Sequence, residues 1–171
     1  MKIERTITIE RRWDGSAVPP DDHIQLTLKW DGVRELTVHF VAPFYGDPPP
    51  DELAGSPWGL WAYEVVELFL VGDHGHYLEL EFGPHGHHLG LLLGGPRSIT
   101  HRHLPLKYDA TVSGPRWTGH ARLSGQYVPT NPSAYNAFAI RGTGQNRDYL
   151  AAHPLPGDVP DFHQPTRFPL L

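Results

Sequence analysis

Residues 56–86 read SPWGLWAYEVVELFLVGDHGHYLELEFGPHG and contain a predicted β-hairpin. Residues 65–71 are rich in β-branched and large apolar side chains, and residues 77–82 alternate strictly. The residues between them, GDHGH, have the composition of a turn. We therefore predict two antiparallel strands whose successive side chains lie on opposite faces of a sheet. The expected core takes one alternate set from the first strand and one from the second: Val65 and Phe69 or Val66, Leu68 and Leu70, with Leu78, Leu80 and Phe82.

The predicted register of this hairpin gathers acidic side chains. If Val71 lies opposite Tyr77, Glu67 falls opposite Glu81, on the face that also carries Glu79. Like charges directly opposite each other destabilise a sheet. The carboxylates therefore need a partner, which is an arginine of the same chain, a cation or the hydroxyl groups of a ligand, unless the face is simply solvated.

The length and composition are those of one globular domain spanning residues 1–171. No cysteine occurs, which excludes disulfides, a thiolate nucleophile and zinc–thiolate sites. The net charge is −5 and the basic residues are scattered, so we expect no nucleic-acid partner. The 18 glycines and 18 prolines indicate many short strands joined by long loops.

The N-terminal residues carry charges at alternating positions and lack the apolar run of a signal peptide. No apolar stretch approaches the roughly 18 residues that would cross a membrane. We therefore expect a soluble, cytoplasmic protein without a membrane partner. The sequence leaves the oligomeric state open.

Further predicted strands recur at intervals of about ten residues, separated by Gly, Pro, Asp and Ser. They cover residues 2–10, 23–30, 33–42, 87–93, 97–103, 107–112, 116–123 and 134–142. The strongest hairpin signal is Asp31-Gly32. Residues 147–153 are compatible with one helical turn, and the proline-rich tail after them is expected to run over the surface. The pattern predicts an all-β fold with minor helix, an antiparallel β-sandwich of jelly-roll or immunoglobulin-like type.

Residues 43–57, PFYGDPPPDELAGSP, contain too much proline for a central strand or a stable helix. A loop of this length is usually functional or mobile. Trp58 and Trp61 follow it, and exposed aromatic rings that stack on a sugar are one requirement of carbohydrate recognition. The alternative is that both rings close one end of the core. Trp61 lies about 20 Å from Glu67 along a straight strand, so both reach one ligand only if the chain before the strand curls back.

Two catalytic or metal-dependent alternatives remain. Paired carboxylates among Glu67, Glu79 and Glu81 are compatible with a glycosidase, which needs two carboxyl groups at a set separation. Histidines two apart on a strand share a face and, with a carboxylate, are compatible with zinc or nickel, whereas histidines beside glycine in turns are often only solvated. The pairs concerned are His74 with His76 and His101 with His103. No phosphate-binding loop, nucleotide fingerprint or nucleophile elbow occurs.

Several motifs together resemble a small family without assigned function, whose human member is named after an open reading frame on chromosome 4. The motifs are LWAYEVVELFL, YLELEFGPHG, the strand at residues 117–123, NAFAIRG and PDFHQPTRF. From Trp58 onward the chain is more remotely similar to carbohydrate-binding module family 9-like domains. That similarity implies a β-sandwich whose relatives hold a terminal sugar between aromatic rings, with structural calcium as a possible ion.

By position, the remote resemblance matches Trp61, Glu67, Asn136 and Arg141 to an aromatic ring, an acid, an amide and a cation around the sugar. His163 falls in the PDFH motif, which resembles a structural element. A second sandwiching tryptophan is expected late in the chain, but none follows Trp117. Either Tyr149 or Phe162 takes that place, or no residue does.

These observations favour a non-catalytic carbohydrate-binding-like β-sandwich domain whose partner is a carbohydrate or polyol, over a small hydrolase or lyase that uses a Glu and His face. We expect no catalytic residue, no metal ligand and no cofactor other than the calcium implied above. Arg141 is expected to neutralise the acidic cluster. The predicted ligand-binding residues are Trp58, Trp61, Glu67, Glu79, Glu81, Asn136 and Arg141.

Overall fold

The computed structural model describes residues 1–171 and contains twelve β-strands. They are β1 (Ile3–Ile9), β2 (Arg11–Arg12), β3 (Ile24–Trp30), β4 (Glu35–Pro43), β5 (Val65–Val71), β6 (Tyr77–Phe82), β7 (His88–Leu93), β8 (Ile99–His101), β9 (Lys107–Ser113), β10 (Arg116–Ser124), β11 (Ala134–Arg141) and β12 (Asp148–Ala151). Helix is confined to single 3-10 turns at Pro20–Asp22, Leu60–Ala62, Asp73–Gly75, Gly125–Tyr127, Gly144–Asn146 and Pro165–Arg167. None of these turns has the length or apolar composition that crossing a membrane requires.

The strands form two sheets, and every pairing is antiparallel. One sheet has five strands in the order β1-β3-β4-β10-β9, and the other has seven in the order β2-β12-β11-β5-β6-β7-β8. A cluster of 26 buried apolar residues fills the space between them, with Phe40, Phe82 and Trp117 among its largest side chains. Burial of this apolar surface is the main source of stability. The predicted antiparallel β-sandwich is confirmed.

The hairpin of β5 and β6 has the predicted bounds and register. Val71 pairs with Tyr77, and Glu67 pairs with Glu81. β5 is the middle strand of its sheet, with β11 on one side and β6 on the other. One face of the hairpin fills the core between the sheets with Val66, Leu68, Leu70, Leu78, Leu80 and Phe82, as expected.

Two local predictions are wrong. Strand pairing replaces the expected helical turn in one segment, and side-chain hydrogen bonds lengthen the turn in the other. Residues 147–153 form no helical turn; instead β12 pairs with β11, from Asp148 opposite Arg141 to Ala151 opposite Phe138. The turn at Asp31 is longer than a two-residue hairpin loop, because the Asp31 carboxylate accepts backbone N–H bonds from the three residues at positions 33–35.

The outer face of the seven-stranded sheet, which points away from the other sheet, is covered rather than solvated. A second cluster of 13 buried apolar residues lies there. Leu60 contributes from the turn before β5, and Phe168 contributes from the C-terminal tail, which bridges β11 through Leu170. The tail therefore does more than run over the surface as predicted: it closes this face, and every residue of β6 is buried.

Candidate functional site

A cavity of about 350 Å³ lies on this outer face. Strands of the sheet supply its floor, while the loop before β5, the turn between β7 and β8 and the C-terminal tail supply its walls. Its lining residues are Trp58, Trp61, Glu67, Glu79, Leu91, Leu93, Arg97, Ile99, Ile140, Tyr149, Pro160, Asp161, Phe162 and His163. The structure thus brings together four of the predicted ligand-binding residues, and it adds both aromatic side chains named as replacements for the missing tryptophan.

Two tryptophan rings stand in the loop wall. Trp58 is 45% exposed and Trp61 is 39% exposed, so the alternative that both rings close the core is wrong. The rings meet edge to face, with centroids 5.0 Å apart and planes at 87°. The guanidinium of Arg102 lies 4.3 Å from the centroid of Trp58. Large rings held by such contacts while half exposed form a ready surface for a ligand.

The chain before β5 curls back as the distance argument requires. Gly59 adopts the left-handed conformation, with φ 83°, and opens the turn Leu60–Ala62 that carries Trp61. Arg147 holds this turn, because its guanidinium donates hydrogen bonds to the carbonyl groups of Trp61 and of Ala62, the latter at 2.8 Å. Arg147 is therefore a positioning residue that the sequence did not reveal.

Three carboxyl groups lie on the floor of the site. Glu67, Glu79 and Glu81 are 2%, 4% and 0% exposed. None of the five ion pairs in the protein involves them. One oxygen of Glu79 and both oxygens of Glu81 have no hydrogen-bond partner. Glu67 and Glu79 line the cavity, whereas Glu81, which lies opposite Glu67 and two residues from Glu79 on β6, does not line it. The predicted cluster exists, but it is buried.

Burial governs the protonation of these groups. It raises the pKa of Glu79 to about 8, against an opposing effect of Arg97. Burial, followed by the charge of Glu79, raises the pKa of Glu67 well above its ordinary value, and Arg147 partly offsets this. Burial and the two neighbouring carboxylates do the same to the pKa of Glu81. Protonation at neutral pH therefore relieves the like-charge repulsion.

The tail wall is pinned by aromatic and polar contacts. Phe162 stacks on Phe138, with ring centroids 4.0 Å apart and planes at 10°. The Nδ1 atom of His163 is hydrogen-bonded to the Tyr77 hydroxyl at 2.6 Å. Asp161 is 2.7 Å from Nη2 of Arg97. These contacts hold the tail against the sheet. His163 and Tyr77 are 86 residues apart in the chain.

Two polar groups of this wall, His163 and Tyr77, are neutral at pH 7. Burial, assisted by Arg97, lowers the pKa of His163 to about 4, so that its imidazole is uncharged at pH 7. Burial raises the pKa of Tyr77 to about 12. The sequence interpretation of His163 as structural is compatible with its bond to Tyr77, but the side chain also lines the cavity.

Asn136 and Arg141 do not lie in the cavity. The Asn136 amide is fully buried and exchanges hydrogen bonds with the backbone of His153 at 2.9 and 3.1 Å. The expectation that Arg141 neutralises the acidic cluster is wrong. Its Nη2 atom pairs with Asp148 at 3.0 Å and with Asp22 at 3.1 Å. Of the four residues matched by position to the remote family, Trp61 and Glu67 thus line the cavity, whereas Asn136 and Arg141 bind other groups of the chain.

Arg97 and Asp161 also escaped the sequence analysis. Arg97 occupies the left-handed region, with φ 58°, and its backbone N–H donates to the Tyr77 hydroxyl at 3.3 Å. Its neighbours Gly95 and Pro96 marked only a turn. For Asp161, the available signal was the PDFH motif. It marked the tail as an ordered element but could not give the strand against which it packs.

The histidine pairs predicted as alternative metal ligands do not complete a site. No group of three or more His, Asp or Glu side chains is placed to hold a metal ion. The histidine pairs therefore have no third His, Asp or Glu beside them to complete a zinc or nickel site, and the calcium that the remote resemblance implies stays a prediction. His74 and His76 are exposed in their turn, with ring centroids 6.5 Å apart.

Fold and cavity define the class of this protein: a two-sheet antiparallel β-sandwich with an aromatic and acidic cavity on one outer face. A crystal structure from Bacteroides uniformis, of a protein described as a candidate carbohydrate-binding protein, has the same fold. The TM-score is 0.73 at 15% sequence identity, and the match covers 96% of this chain and 84% of that chain. At this identity the likeness shows the fold alone.

Sequence comparison gives the particular family. The Homo sapiens UPF0462 protein C4orf33 is 40% identical over 165 residues, which cover 91% of this chain and 81% of that protein. The Mus musculus homologue is 40% identical over 166 residues, covering 91% and 85%, and the Danio rerio homologue is 38% identical over 166 residues, covering 91% and 83%. No family model matches the chain. The chain belongs to the UPF0462 family, as its motifs predicted.

Proposed function

We propose that the protein is a non-catalytic binding protein that takes a carbohydrate or a similar polyol in this cavity. The observation that carries the proposal is the presence of aromatic rings and buried carboxyl groups in one cavity. The rings are those of Trp58, Trp61, Tyr149 and Phe162, and the carboxyl groups are those of Glu67 and Glu79. Aromatic rings stack on the apolar faces of sugars, and carboxyl groups hydrogen-bond to sugar hydroxyls.

The dimensions and the rigidity of the cavity support a small ligand. Its volume of about 350 Å³ lies near the lower end of the range of roughly 300–1,000 Å³ that is typical of small-molecule sites. The loop wall is held by Arg147 and the tail wall by the stacking of Phe162 on Phe138. Walls that are already ordered reduce the entropic cost of binding. The description of the Bacteroides uniformis protein agrees with this function by fold-level analogy only.

The proposal is tested by calorimetric titration of a panel of mono- and disaccharides into the protein. For a sugar that binds, Trp61→Ala should lower affinity by on the order of 1–2 kcal/mol through loss of stacking. Trp13→Ala is the matched control, because Trp13 lies outside the cavity and its removal should leave affinity unchanged. If no sugar of the panel binds, or if both variants behave alike, the proposal is wrong.

Glu67→Gln supplies a second test, which keeps shape while removing a carboxyl group. In a binding site it should lower affinity by on the order of 1.5–3 kcal/mol with the fold intact. A variant that binds as tightly as the wild type would show that Glu67 does not contact the ligand. Circular dichroism of the variant serves to confirm that the sheets are retained.

One observation favours a second candidate, a glycoside hydrolase. Glu79, whose pKa burial raises to about 8, lies in the cavity with Glu67, and a glycosidase needs a protonated carboxyl group beside a second one; burial raises the pKa of Glu67 as well, so this second group would act only where it ionises. Hydrolysis of aryl glycosides that is abolished in Glu79→Gln, with binding retained, would support this candidate. Binding without turnover supports the non-catalytic function.

A further inference from the structure

The floor of the cavity contains carboxyl groups that form no ion pair with a cation of the protein. Glu67 and Glu79 are 2% and 4% exposed and both line the cavity. The Oε2 atom of Glu79 has no hydrogen-bond partner, nor does either oxygen of Glu81 beside it. A buried polar atom without a partner is costly, and more so when it is charged. Of Glu79 and Glu81, only Glu79 lines the cavity, so its unpartnered oxygen is the one placed for a group that arrives with the ligand.

The basic side chains around the floor are engaged elsewhere. Arg97 and His163 are the only basic residues that line the cavity. The Arg97 guanidinium pairs with Asp161 at 2.7 Å, and its side chain is 66% exposed. His163 is neutral at pH 7, because burial lowers its pKa to about 4. Arg147 lies behind the loop wall and donates to backbone carbonyl groups. Arg97 and Arg147 only partly offset the raised pKa values of Glu79 and Glu67, and no basic side chain forms an ion pair with the floor.

The remaining walls also suit a positive charge. Trp61 presents a partly exposed ring, and Phe162 lines the same cavity. Trp58 and Tyr149 complete the aromatic lining, and each already has an arginine guanidinium over its ring, at 4.3 Å and 5.8 Å from the centroid. The negative face of an aromatic ring attracts a cation within about 6 Å, and the attraction strengthens when water is excluded. Aromatic rings above buried carboxyl groups are the combination that recognises an ammonium group. The floor is neutral while its carboxyl groups are protonated; an ammonium group allows one of them to ionise, whereas a neutral hydroxyl group only adds hydrogen bonds.

From this geometry we infer that the ligand of the cavity is a polyol that carries a protonated amine, such as an amino sugar, whose ammonium group binds Glu79 and Glu67. The inference rests on the proposed binding function and names the chemical class of its ligand. The ammonium group takes the place of the proton that Glu79 holds in the free protein, so one proton leaves the site for solvent as the ligand binds. Raised pKa values of both carboxyl groups agree with a proton held there.

The protonation of Glu79 depends on the groups that face it. These are Glu67 from β5, Glu81 and Tyr77 from its own strand, Arg97 from the turn after β7, and Asp161 and His163 from the tail. Because His163 is neutral at pH 7 and burial raises the pKa of Tyr77 to about 12, neither changes its charge near neutral pH. A proton released between about pH 6 and pH 8 therefore comes from the carboxyl cluster.

The inference is tested by calorimetric titration of glucosamine, N-acetylglucosamine and glucose at about pH 6.5, where an amine of this kind is protonated. Titrations in phosphate and in imidazole, which differ in ionisation enthalpy, report the protons released. We expect glucosamine to bind at least tenfold more tightly than the other two sugars and to release about one proton. In Glu79→Gln, which cannot ionise, both the preference and the proton release should disappear. Glu35→Gln, the same change at an exposed residue, should preserve both.

If the three sugars bind equally without proton release, the ammonium inference is wrong while the polyol-binding function stands. If N-acetylglucosamine or glucose binds more tightly than glucosamine, the inference is also wrong. If none of the three binds, the proposed function fails, and the inference fails with it. Circular dichroism of Glu79→Gln separates loss of binding from loss of fold; should that variant unfold, the preference and the proton release of the wild type decide alone.

Discussion

Replacing Glu79 by glutamine should make the folded protein more resistant to alkaline pH. The pKa of Glu79 is about 8 in the folded state against an ordinary value of 4.5, and burial is the main cause. Because the folded-state pKa is raised, the stability linked to this group is fully present below pH 4.5 and is lost as pH rises through 8. Each pKa unit corresponds to about 1.4 kcal/mol, so ionisation of Glu79 costs the folded state on the order of 4 kcal/mol.

The assay is urea unfolding followed by tryptophan fluorescence, at intervals of about one unit between pH 5 and pH 9. The comparison of variant with wild type is needed because His163 acts in the opposite direction: its lowered pKa removes stability as pH falls from 6.5 towards about 4. We expect the stability of Glu79→Gln relative to wild type to rise by on the order of 4 kcal/mol across the range. Part of the alkaline loss should remain, since Glu67 and Glu81 also ionise.

Glu35→Gln is the control, because Glu35 is exposed on β4 and the substitution removes the same charge without altering burial. Its pH profile should run parallel to that of the wild type. Parallel profiles for Glu79→Gln as well would refute the reasoning, because they would show that Glu79 ionises as freely in the folded protein as in the unfolded chain.

Three further predictions concern packing and are measured as free energies of unfolding. Gly119→Ala should destabilise by several kcal/mol, because its Cβ would lie 2.2 Å from the Phe40 ring; a loss below about 1 kcal/mol would contradict this. Phe162→Ala should cost roughly 2–4 kcal/mol by removing the ring stacked on Phe138, and limited proteolysis should release the tail. Arg141→Met should cost roughly 1.5–3 kcal/mol, because Asp22 loses its cation while Asp148 keeps only Arg12; an unchanged stability would be inconsistent with a structural role.

Local patterns in the sequence determined much of the fold. Alternation, turn composition and β-branched runs are properties of neighbouring residues, and they predicted the β5 and β6 hairpin and its register, so that Glu67 lies opposite Glu81. They also placed Trp58 and Trp61 beside the site and led to the expectation that the chain curls back. β12 was missed because four residues with a mixed pattern become a strand only through pairing with β11.

The sequence analysis named half of the residues that line the cavity, but not that the carboxyl groups on its floor are buried. Glu79 and Glu81 lie on an alternating strand, and the tail, with Phe162 and Phe168, covers that face together with Leu60 from the turn before β5. The tail lies more than 80 residues away in the chain, so no local pattern records what it covers. Arg97 and Asp161 are 64 residues apart in the chain, and their ion pair forms only once the tail is docked.

The partner of each charge was likewise decided by tertiary structure. The sequence showed that three carboxylates need a partner and that Arg141 is a cation on a nearby strand. Arg141 instead meets Asp22 and Asp148, because it stands at the end of β11 beside β12. Charge and strand register follow from the order of residues. Contacts between side chains, and the exclusion of water from them, depend on segments that come together only in the folded protein.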